Sequence, residues 1–243
     1  MLRLEPMPLY QQVKRFILDR VERREWSVGQ PIPSEHELCA ILGVSRATVV
    51  RALTDLVHMG VLERRQGRGT YVAAPKVDHG PFNLQSFTEE MAERGLAAAA
   101  QVLDCAVQVP PHDVRAALRL APDEAVVRIR RIRFAQPGEP MGVQEAHLPA
   151  LLVPGLAARA DALRGSLYAI LRDTYGLTPT RAIETVHPVM LREEEAHLLQ
   201  CARNQPAFAV ERITFDADGR PVELVRSRMR GDRYRYVLEL ARL

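Results

Sequence analysis

The sequence predicts two domains: a mainly helical N-terminal domain that carries a β-hairpin, and a larger C-terminal α+β domain built on an antiparallel sheet. Apolar residues recur at helical spacing up to about residue 60, and a short hairpin pattern rich in glycine and arginine follows them. Beyond residue 100, strand patterns joined by hairpin-type turns alternate with short helices. These observations place the domains at residues 1–75 and 83–243, with a linker at residues 76–82.

Length and composition indicate a globular protein. The chain has 243 residues, of which 47% are hydrophobic and 26% charged. No apolar run approaches the length of a membrane span, and charges interrupt the N-terminal segment where a signal peptide needs an apolar core. We therefore expect a cytoplasmic protein without a membrane partner. The three cysteines, Cys39, Cys105 and Cys201, lie too far apart for a disulfide framework or a cysteine metal clip, so we expect no metal or other cofactor.

The basic excess lies in the first third of the chain. Residues 1–75 hold 11 Lys and Arg against 8 Asp and Glu, whereas the remaining residues hold 22 of each. Arg64, Arg65 and Arg68 form a cluster within that basic third. Such a cluster is usually a solvated surface, so by itself it gives only a weak indication of a polyanionic partner.

Three helices are predicted in the first sixty residues. The first covers residues 9–23, the second opens at Ser34 with the spacing of a capping box and ends at Gly43, and the third begins at Ser45 and ends near Gly60. Two short helices joined by a tight glycine turn are the arrangement that places the second of them in the major groove of DNA.

Residues 61–72 then form a hairpin beside that third helix. Glycines let the backbone approach DNA closely, and arginines favour the narrow minor groove, so this hairpin fits the wing of a winged helix-turn-helix. At the start of the third helix, arginine can reach guanine edges or phosphates, and hydroxyl groups can bond phosphate oxygens. The expected DNA-binding residues are Ser34, Ser45, Arg46, Thr48, Arg51, Arg65, Gln66, Gly67, Arg68, Gly69 and Thr70.

Four segments of this region resemble the GntR family of bacterial transcription regulators. They lie in the family's order at residues 8–13, 33–38, 44–49 and 65–72. The resemblance implies a winged helix-turn-helix that binds double-stranded operator DNA, with a homodimer reading the two half-sites of a palindrome.

One position departs from the family pattern. Family members commonly have arginine directly after the Thr-Val pair, where this chain has Val50, and Arg51 follows one place later. One residue corresponds to about 100° of helix rotation. We therefore expect Arg51 to replace the usual contact from the side of the helix.

The elements of the second domain follow from periodicity and turn residues. Ser86 opens a helix that ends at Gly95, and a turn at Asp216–Gly219 joins the last long hairpin. Hairpin links imply an antiparallel sheet with helices packed against it. Strands are predicted at 101–109, 125–135, 140–148, 206–216, 221–230 and 234–240, and further helices at 111–120, 155–163, 167–175 and 192–201.

This second pattern resembles the GntR branch with a UTRA effector domain, the HutC-type branch, whose fold is like that of chorismate lyase. The resemblance implies that the domain binds a small-molecule effector. The matching stretches are Ser86–Thr88, Arg131–Arg133, Glu139–Met141, Glu145, Ser166–Tyr168 and Phe215–Tyr234.

Arg131 and Arg133 are the principal candidates for effector binding. Two positions apart on a strand, they project to the same side, where paired guanidinium groups suit a phosphate or a carboxylate. From periodicity alone a solvated sheet face is the simpler explanation, but the resemblance implies that anionic effector groups bind near this pair. Arg128 and Arg130 fall on the opposite face and are expected to be solvated.

Other polar residues complete the expected effector site. Carboxylates could accept hydrogen bonds from sugar hydroxyls, an amine or an imidazole, and Thr88 at a helix start could help to bind an anion. Their strand positions and the resemblance favour Glu145 and Glu223 over Glu184, although each could be a surface carboxylate. The additional expected effector-binding residues are Thr88, Glu145, Ser166, Tyr168, Glu184 and Glu223.

The expected function is that of an effector-responsive repressor. The arginine pair favours a sugar phosphate, and urocanate and phosphonate-related compounds are the other effectors known in this branch. One alternative is an enzyme of chorismate-lyase-like fold acting on a small carboxylate, but no Ser/His/Asp order, metal-spaced histidine group or nucleotide loop supports catalytic residues. Another is a GntR regulator with an all-helical, metal-binding effector domain, against which the hairpins after residue 125 argue.

Overall fold

The structure is a computed structural model, and the chain divides into two compact units, Met1–Val77 and Asp78–Leu243. Each unit is considered by itself. Most of the linker predicted at residues 76–82 lies outside the described residues. The structure describes residues 7–65, 67–73, 77–79, 84–136 and 138–237.

Three helices form the first unit: α1 (Leu9–Glu22), α2 (Glu35–Leu42) and α3 (Arg46–His58). Their buried faces form one apolar core, which confirms the predicted periodicity. Its fully buried large side chains are Ile17, Leu38, Leu53, Leu56 and Leu62.

Local hydrogen bonds fix the turn between α2 and α3. The Ser34 and Glu37 side chains each accept a hydrogen bond from the other residue's backbone amide, the capping box that the sequence predicts. Gly43 ends α2 at φ 64°, a left-handed conformation that glycine adopts without strain. The Ser45 side chain then accepts from the amide of Thr48 and opens α3.

The predicted wing is an antiparallel hairpin of β1 (Leu62–Arg65) and β2 (Gly69–Val72). The segment before α2 adds to its edge, because the amide of Ile32 donates to the carbonyl of Thr70 at 2.9 Å. The amide of Val72 likewise donates to the carbonyl of Gln30 at 2.9 Å. The hairpin is therefore anchored to the helices on one side.

A six-stranded antiparallel sheet forms the second unit, in the order β4-β5-β6-β9-β8-β7. Two short strands, β3 and β10, are hydrogen-bonded to each other. The strands are β3 (Val77–His79), β4 (Ala99–Gln108), β5 (Val126–Gln136), β6 (Glu139–Pro149), β7 (Arg181–Met190), β8 (Pro206–Phe215), β9 (Pro221–Arg230) and β10 (Tyr234–Tyr236).

Apolar side chains from helical segments cover parts of both sheet faces. On one face, Leu156 and Leu171 pack with Ile129. On the other, Val114 packs with Val126 at one end and Leu199 with Ile132 at the other. The segments are α4 (Phe87–Glu93), α5 (His112–Leu118), α6 (Leu167–Tyr175), α7 (Glu193–Leu198) and the 3₁₀ segments Ala150–Leu152 and Leu156–Arg164.

The structure differs from the predicted elements in four places. Strand β3 was not predicted; it lies within the segment predicted as a linker at residues 76–82. Strand β7 was not predicted; it is an edge strand that contains Pro188 and alternates between exposed and half-buried positions, so it lacks an apolar run. The helix predicted at 155–163 is a 3₁₀ segment with a kink at Arg159. Of the strand predicted at 234–240, Tyr234–Tyr236 is a strand, and residues 238–240 lie outside the described part of the chain.

Membrane spans and metal clusters are both absent from the described residues. None of the helices there combines the length and the apolar character needed to cross a membrane. Within the same residues, no three His, Cys, Asp or Glu side chains are grouped in a way that could hold a metal ion.

Candidate functional site

The start of α3 presents an arginine to solvent. The Arg46 side chain is 80% exposed, and its Nε donates to Oε2 of Glu35 on α2 at 3.0 Å. The hydroxyls of Ser45 and Thr48 lie 2.9 Å apart at the exposed N-terminus of the same helix. Ser34 is also exposed, at the start of α2. The structure thus brings these four predicted residues to the N-terminal ends of α2 and α3.

Arg51 lies on another side of α3. Its guanidinium carbon is 4.0 Å from the centroid of the Tyr10 ring on α1, a cation–π contact. Val50, which occupies the family's usual arginine position, is half-buried. Arg51 therefore has an intramolecular partner in this structure, and its contact with DNA stays a prediction.

The wing carries the remaining predicted DNA-binding residues. Arg65 pairs with Glu63 at 2.7 Å and stacks on the Tyr71 ring at 4.2 Å. Arg68 is exposed at the tip, and within the described part of the chain it has no carboxylate within 4.0 Å. Gly67 and Gly69 have φ values of 69° and 104°, which glycine tolerates best, and Thr70 contributes its carbonyl to the Ile32 hydrogen bond. Gln66 lies outside the described residues.

A cavity lies on the sheet face that carries α6. Its volume is about 70 Å³, enough for several water molecules, since one water needs about 10–15 Å³ of such space. Six residues expected from the sequence line it, namely Thr88, Arg131, Arg133, Tyr168, Glu184 and Glu223. The other polar residues in its wall are Ser86, Glu90, Gln144, Arg212, Ser227, Tyr234 and Tyr236.

Arg131 lines this cavity and is 3% exposed. Nη1 donates to the carbonyl of Leu163 at 3.1 Å, and Nη2 donates to Oε1 of Gln144 at 2.6 Å. Burial lowers the pKa of Arg131 to about 10, partly offset by the nearby charge of Glu223. Arg131 is thus a cation held mainly by neutral groups.

Arg133 lies two positions further along β5 and is equally buried, at 3% exposure. Nη2 donates to the Thr88 hydroxyl at 3.0 Å, the guanidinium lies over the Phe87 ring at 4.6 Å, and Nε has no hydrogen-bond partner among the described residues. Burial, and then the charge of Arg131, lower the pKa of Arg133 to about 9. Across the described residues no carboxylate comes within 4.0 Å of this guanidinium, so its charge is open to an anionic ligand.

A buried carboxyl and a tyrosine hydroxyl form another part of the wall, and the Thr214 hydroxyl lies within hydrogen-bond distance of both. Glu223 is 2% exposed and accepts a hydrogen bond from the Thr214 hydroxyl at 3.3 Å. The Tyr168 hydroxyl lies 3.1 Å from that of Thr214. Burial raises the pKa of Glu223, against the opposite effect of Arg212 and Arg131, so its protonated form, which can donate a hydrogen bond, persists to higher pH than that of an exposed carboxyl.

An ion pair joins β7 and β8 beside these groups. Arg212 Nε donates to Oε2 of Glu184 at 2.6 Å, and the Tyr236 hydroxyl donates to Oε1 of the same carboxylate at 3.1 Å. Arg212 also donates to the carbonyl of Gln85 at 3.1 Å. The charges of Arg212 and Glu184 therefore cancel locally.

Ser166 and Glu145 differ from the other predicted effector residues in position. The Ser166 hydroxyl donates to that of Ser86, a residue of the cavity wall, at 3.3 Å, and it also caps α6.

Glu145 does not reach the cavity, because its neighbour Gln144 occupies the cavity face of β6 and successive residues of a strand point to opposite faces. It lies instead 3.6 Å from Arg130 and 3.9 Å from Arg128, which are half-buried and ion-paired rather than solvated.

Several cavity residues were not predicted from the sequence. Arg212 is the most important of them. The predicted β8–β9 hairpin indicated its place, because Thr214 lies opposite Glu223 and Arg212, two positions before Thr214, points to the same face. Gln144 lies opposite Arg131, but this pairing had no local signal, because register shifts separate it from the β5–β6 turn. Tyr234 and Tyr236 had none, because their place depends on the fold of the chain after β9.

Comparison with known proteins identifies both units. Residues 9–72 match the family of bacterial regulatory proteins, gntR family, and residues 93–235 match the UTRA domain. The HTH-type transcriptional repressor NagR of Bacillus subtilis (strain 168) is 31% identical over 98% of this chain and 97% of its own length. The histidine utilization repressor of Pseudomonas putida is 31% identical over 95% of this chain and 91% of its own.

A solved structure supports the same assignment. The crystal structure of PhnF from Mycobacterium smegmatis superimposes with a TM-score of 0.64 and 30% identity, over 96% of this chain and all of that one. The UTRA match excludes the alternative of an all-helical effector domain. This chain belongs to the GntR family of bacterial transcription regulators, in the HutC-like branch with a UTRA domain, and is a DNA-binding regulator rather than an enzyme.

Proposed function

We propose that this protein is a cytoplasmic repressor that binds palindromic operator DNA as a homodimer and is released by a small anionic metabolite, for which a phosphorylated sugar is the best candidate. The named repressors among its relatives support the regulatory role. The observation that carries the effector proposal is the buried guanidinium of Arg133, which lines a cavity without a carboxylate partner among the described residues.

The first unit supports the DNA-binding half of the proposal. An exposed arginine begins α3, and an exposed arginine marks the tip of the wing. In winged helix-turn-helix proteins, the first of these positions reads base edges in the major groove, and positive wing residues contact the backbone or the minor groove. Arg46 and Arg68 are therefore the two residues from which we expect the largest contributions to operator affinity.

Charge balance in the cavity favours an anion. Arg212 is neutralised by Glu184, and Glu90 lies 3.5 Å from Arg94, a residue outside the cavity wall. The remaining charged groups are the two β5 arginines and Glu223, whose protonated form burial favours. A phosphate or carboxylate would supply the missing negative charge and accept several hydrogen bonds from guanidinium groups.

The rest of the wall favours a ligand with several hydroxyl groups. Tyr168 and Glu223 provide hydrogen-bonding groups that can act as donors or acceptors, and Gln144 adds an amide. Sugar hydroxyls are both donors and acceptors, so they match such a set. Urocanate and phosphonate-related compounds share the anionic group but present fewer hydroxyls, and they remain the competing effector classes.

Effector release follows from linkage between the two ligands. A dimer that meets both half-sites of a palindrome gains affinity from the simultaneous contacts. An effector that stabilises a dimer unable to meet both half-sites weakens DNA binding, and DNA weakens effector binding by the same free energy.

A calorimetric thermal-shift screen tests the effector proposal. Purified full-length protein is heated with amino-sugar phosphates, other sugar phosphates, urocanate, phosphonates and neutral sugars, since a compound that binds the folded state raises its melting temperature. We expect a sugar phosphate to stabilise the wild type and Arg133→Ala to lose most of that shift. Each charge-assisted hydrogen bond contributes about 1.5–3 kcal/mol, so the affinity should fall roughly 10- to 100-fold.

Arg130→Ala is the matched control for this experiment. Arg130 lies on the same strand but on the opposite sheet face, where it pairs with Glu145 and Glu194. Its removal should leave the ligand-induced shift unchanged. Equal shifts in wild type and Arg133→Ala would refute the cavity assignment, and stabilisation by neutral sugars alone would refute the anion while leaving the regulator assignment in place.

A further inference from the structure

One carboxylate joins the two DNA-reading elements of the first unit. Oε2 of Glu35 accepts from Arg46 Nε at 3.0 Å, and Oε1 of Glu35 lies 3.7 Å from Nη2 of Arg64. Arg46 begins α3, whereas Arg64 lies on β1 of the wing. The Glu35 side chain is only 29% exposed, so its position is better defined than that of a fully solvated carboxylate.

We propose that Glu35 is a positioning residue that raises the discrimination between operator and random DNA by holding Arg46 and Arg64 before DNA arrives. This inference rests on the proposed function, in which α3 and the wing contact DNA. It assigns a role to an acidic residue that the expected DNA-binding set does not include.

The geometry leaves the reading edge of Arg46 available. The hydrogen bond to Glu35 uses Nε, whereas a bidentate contact with guanine O6 and N7 can use the two terminal nitrogens. Ordering a flexible side chain on binding costs about 0.5–1.5 kcal/mol when it is not held beforehand, which corresponds to about 2- to 10-fold in affinity. A held Arg46 avoids this cost on the operator, where one rotamer is needed.

The same carboxylate disfavours contacts that carry no sequence information. On random DNA, Arg46 and Arg64 would act as mobile cations toward phosphates, and Glu35 competes with those phosphates for both. Its negative charge also repels the DNA backbone. A positioning carboxylate should therefore lower affinity for random duplex more than affinity for the operator.

A structural role alone would not have this consequence. Exposed ion pairs contribute little to folding stability, and the Arg46 side chain is 80% exposed. Glu37 provides the matched control, because it lies in the first turn of the same helix and its carboxylate bonds the Ser34 amide rather than an arginine. Glutamine at either position removes one negative charge, and at position 37 it can keep the capping box.

The experiment compares Glu35→Gln and Glu37→Gln in the full-length protein. The probes are a duplex selected by the wild type from a randomised library and a scrambled duplex of the same composition, each titrated over a range of salt concentrations. We expect Glu35→Gln to lower the ratio of the two affinities by about 2- to 10-fold. We also expect the affinity of this variant for the scrambled duplex to fall more steeply with salt. The increase in slope should correspond to at most about one additional phosphate contact for each arginine that Glu35 no longer holds.

Glu37→Gln should raise both affinities by similar factors and leave their ratio and the salt dependence unchanged. Equal ratios and equal salt slopes in the two variants would overturn the proposal, because Glu35 would then be one more negative charge near DNA. Circular dichroism confirms that both variants fold. If the wild type selects no duplex at all, the proposed function is itself wrong. If it selects a duplex but the two variants behave alike, only the Glu35 proposal is wrong.

Discussion

Among single residues, the buried carboxyl of Glu223 gives the clearest pH dependence. Burial raises its pKa above the ordinary value of about 4.3, so the folded protein holds this proton more tightly than the unfolded chain. The raised pKa of Glu223 stabilises the folded protein at pH values below the pKa of this group in the unfolded chain. This contribution is lost as pH rises through the pKa of Glu223 in the folded protein. Glu223→Gln does not titrate, so its unfolding free energy should rise relative to the wild type over that pH window, by at most about 1.4 kcal/mol per pH unit.

Urea unfolding at a series of pH values measures this difference. Circular dichroism is the appropriate signal, because the only tryptophan of the sequence, Trp26, is in the first unit. Glu145→Gln, on the opposite face of the sheet, is the control for removal of a carboxylate. Parallel pH profiles for the wild type and Glu223→Gln would show that Glu223 titrates normally and would contradict its role as a hydrogen-bond donor.

Val50 gives a second test at the residue scale. Arg51 is stacked on Tyr10, so we expect it to replace only weakly the phosphate or base contact that family members commonly make from the preceding position. Val50→Arg should therefore raise affinity for random duplex several-fold and steepen the salt dependence by about one phosphate contact. If Val50→Arg changes nothing while Arg51→Ala weakens binding, Arg51 already provides this contact and the stacked position is not maintained on DNA.

Single residues also show what the sequence can and cannot predict about the site. The two-residue spacing of Arg131 and Arg133 correctly placed both on one face, because strand geometry makes alternate residues equivalent. The face of Glu145 could not be obtained in this way, since it depends on how β6 aligns with β5, and that pairing contains register shifts after Arg133. Glu184, the less favoured carboxylate, lines the cavity together with Glu223, whereas the favoured Glu145 does not.

Among the elements, the wing can be tested through its turn. Gly67 has φ 69°, and a β-branched residue is strained in that conformation, although a Cβ at this position would meet no described atom within 4 Å. Gly67→Val should alter the tip of the hairpin and weaken DNA binding while the second unit stays folded. Gly219→Val is the matched control, because Gly219 has φ 74° in the β8–β9 turn, equally without near neighbours among the described atoms.

The wing assignment depends on the contrast between these two variants. Both should lose a similar amount of local stability, but only Gly67→Val should lose DNA affinity. Wild-type affinity in a folded Gly67→Val protein would contradict the wing assignment.

The elements with strong local signals were those that the sequence predicted. Capping boxes at Ser34 and Ser86 began helices where expected, and the hairpin of β8 and β9 was recognisable from its turn. Strand β7 was missed because it lies at the sheet edge, where one side of the ladder is unpaired and an apolar run is not required. Its pairing with β8 is a long-range contact that local sequence does not encode.

For the whole molecule, effector-controlled repression requires that one ligand changes the affinity for another. Each unit has its own apolar core, so a substitution in the cavity should leave the DNA-binding unit folded. The charge distribution agrees with this division, since the net +3 of the chain lies in residues 1–75. Binding in one unit and its effect in the other can therefore be measured separately.

The most direct test is a DNA titration with and without effector. The full-length wild type and Arg133→Ala are titrated into the selected duplex, in the presence and absence of the compound that gives the largest thermal shift. Couplings of this kind are typically about 1–3 kcal/mol, so the compound should weaken DNA binding by the wild type by about 5- to 150-fold. Arg133→Ala should bind the duplex like the wild type and show no such weakening at the same concentration. An equal loss of DNA affinity in both proteins would contradict effector control through the cavity, because the effector would then act without its buried arginine.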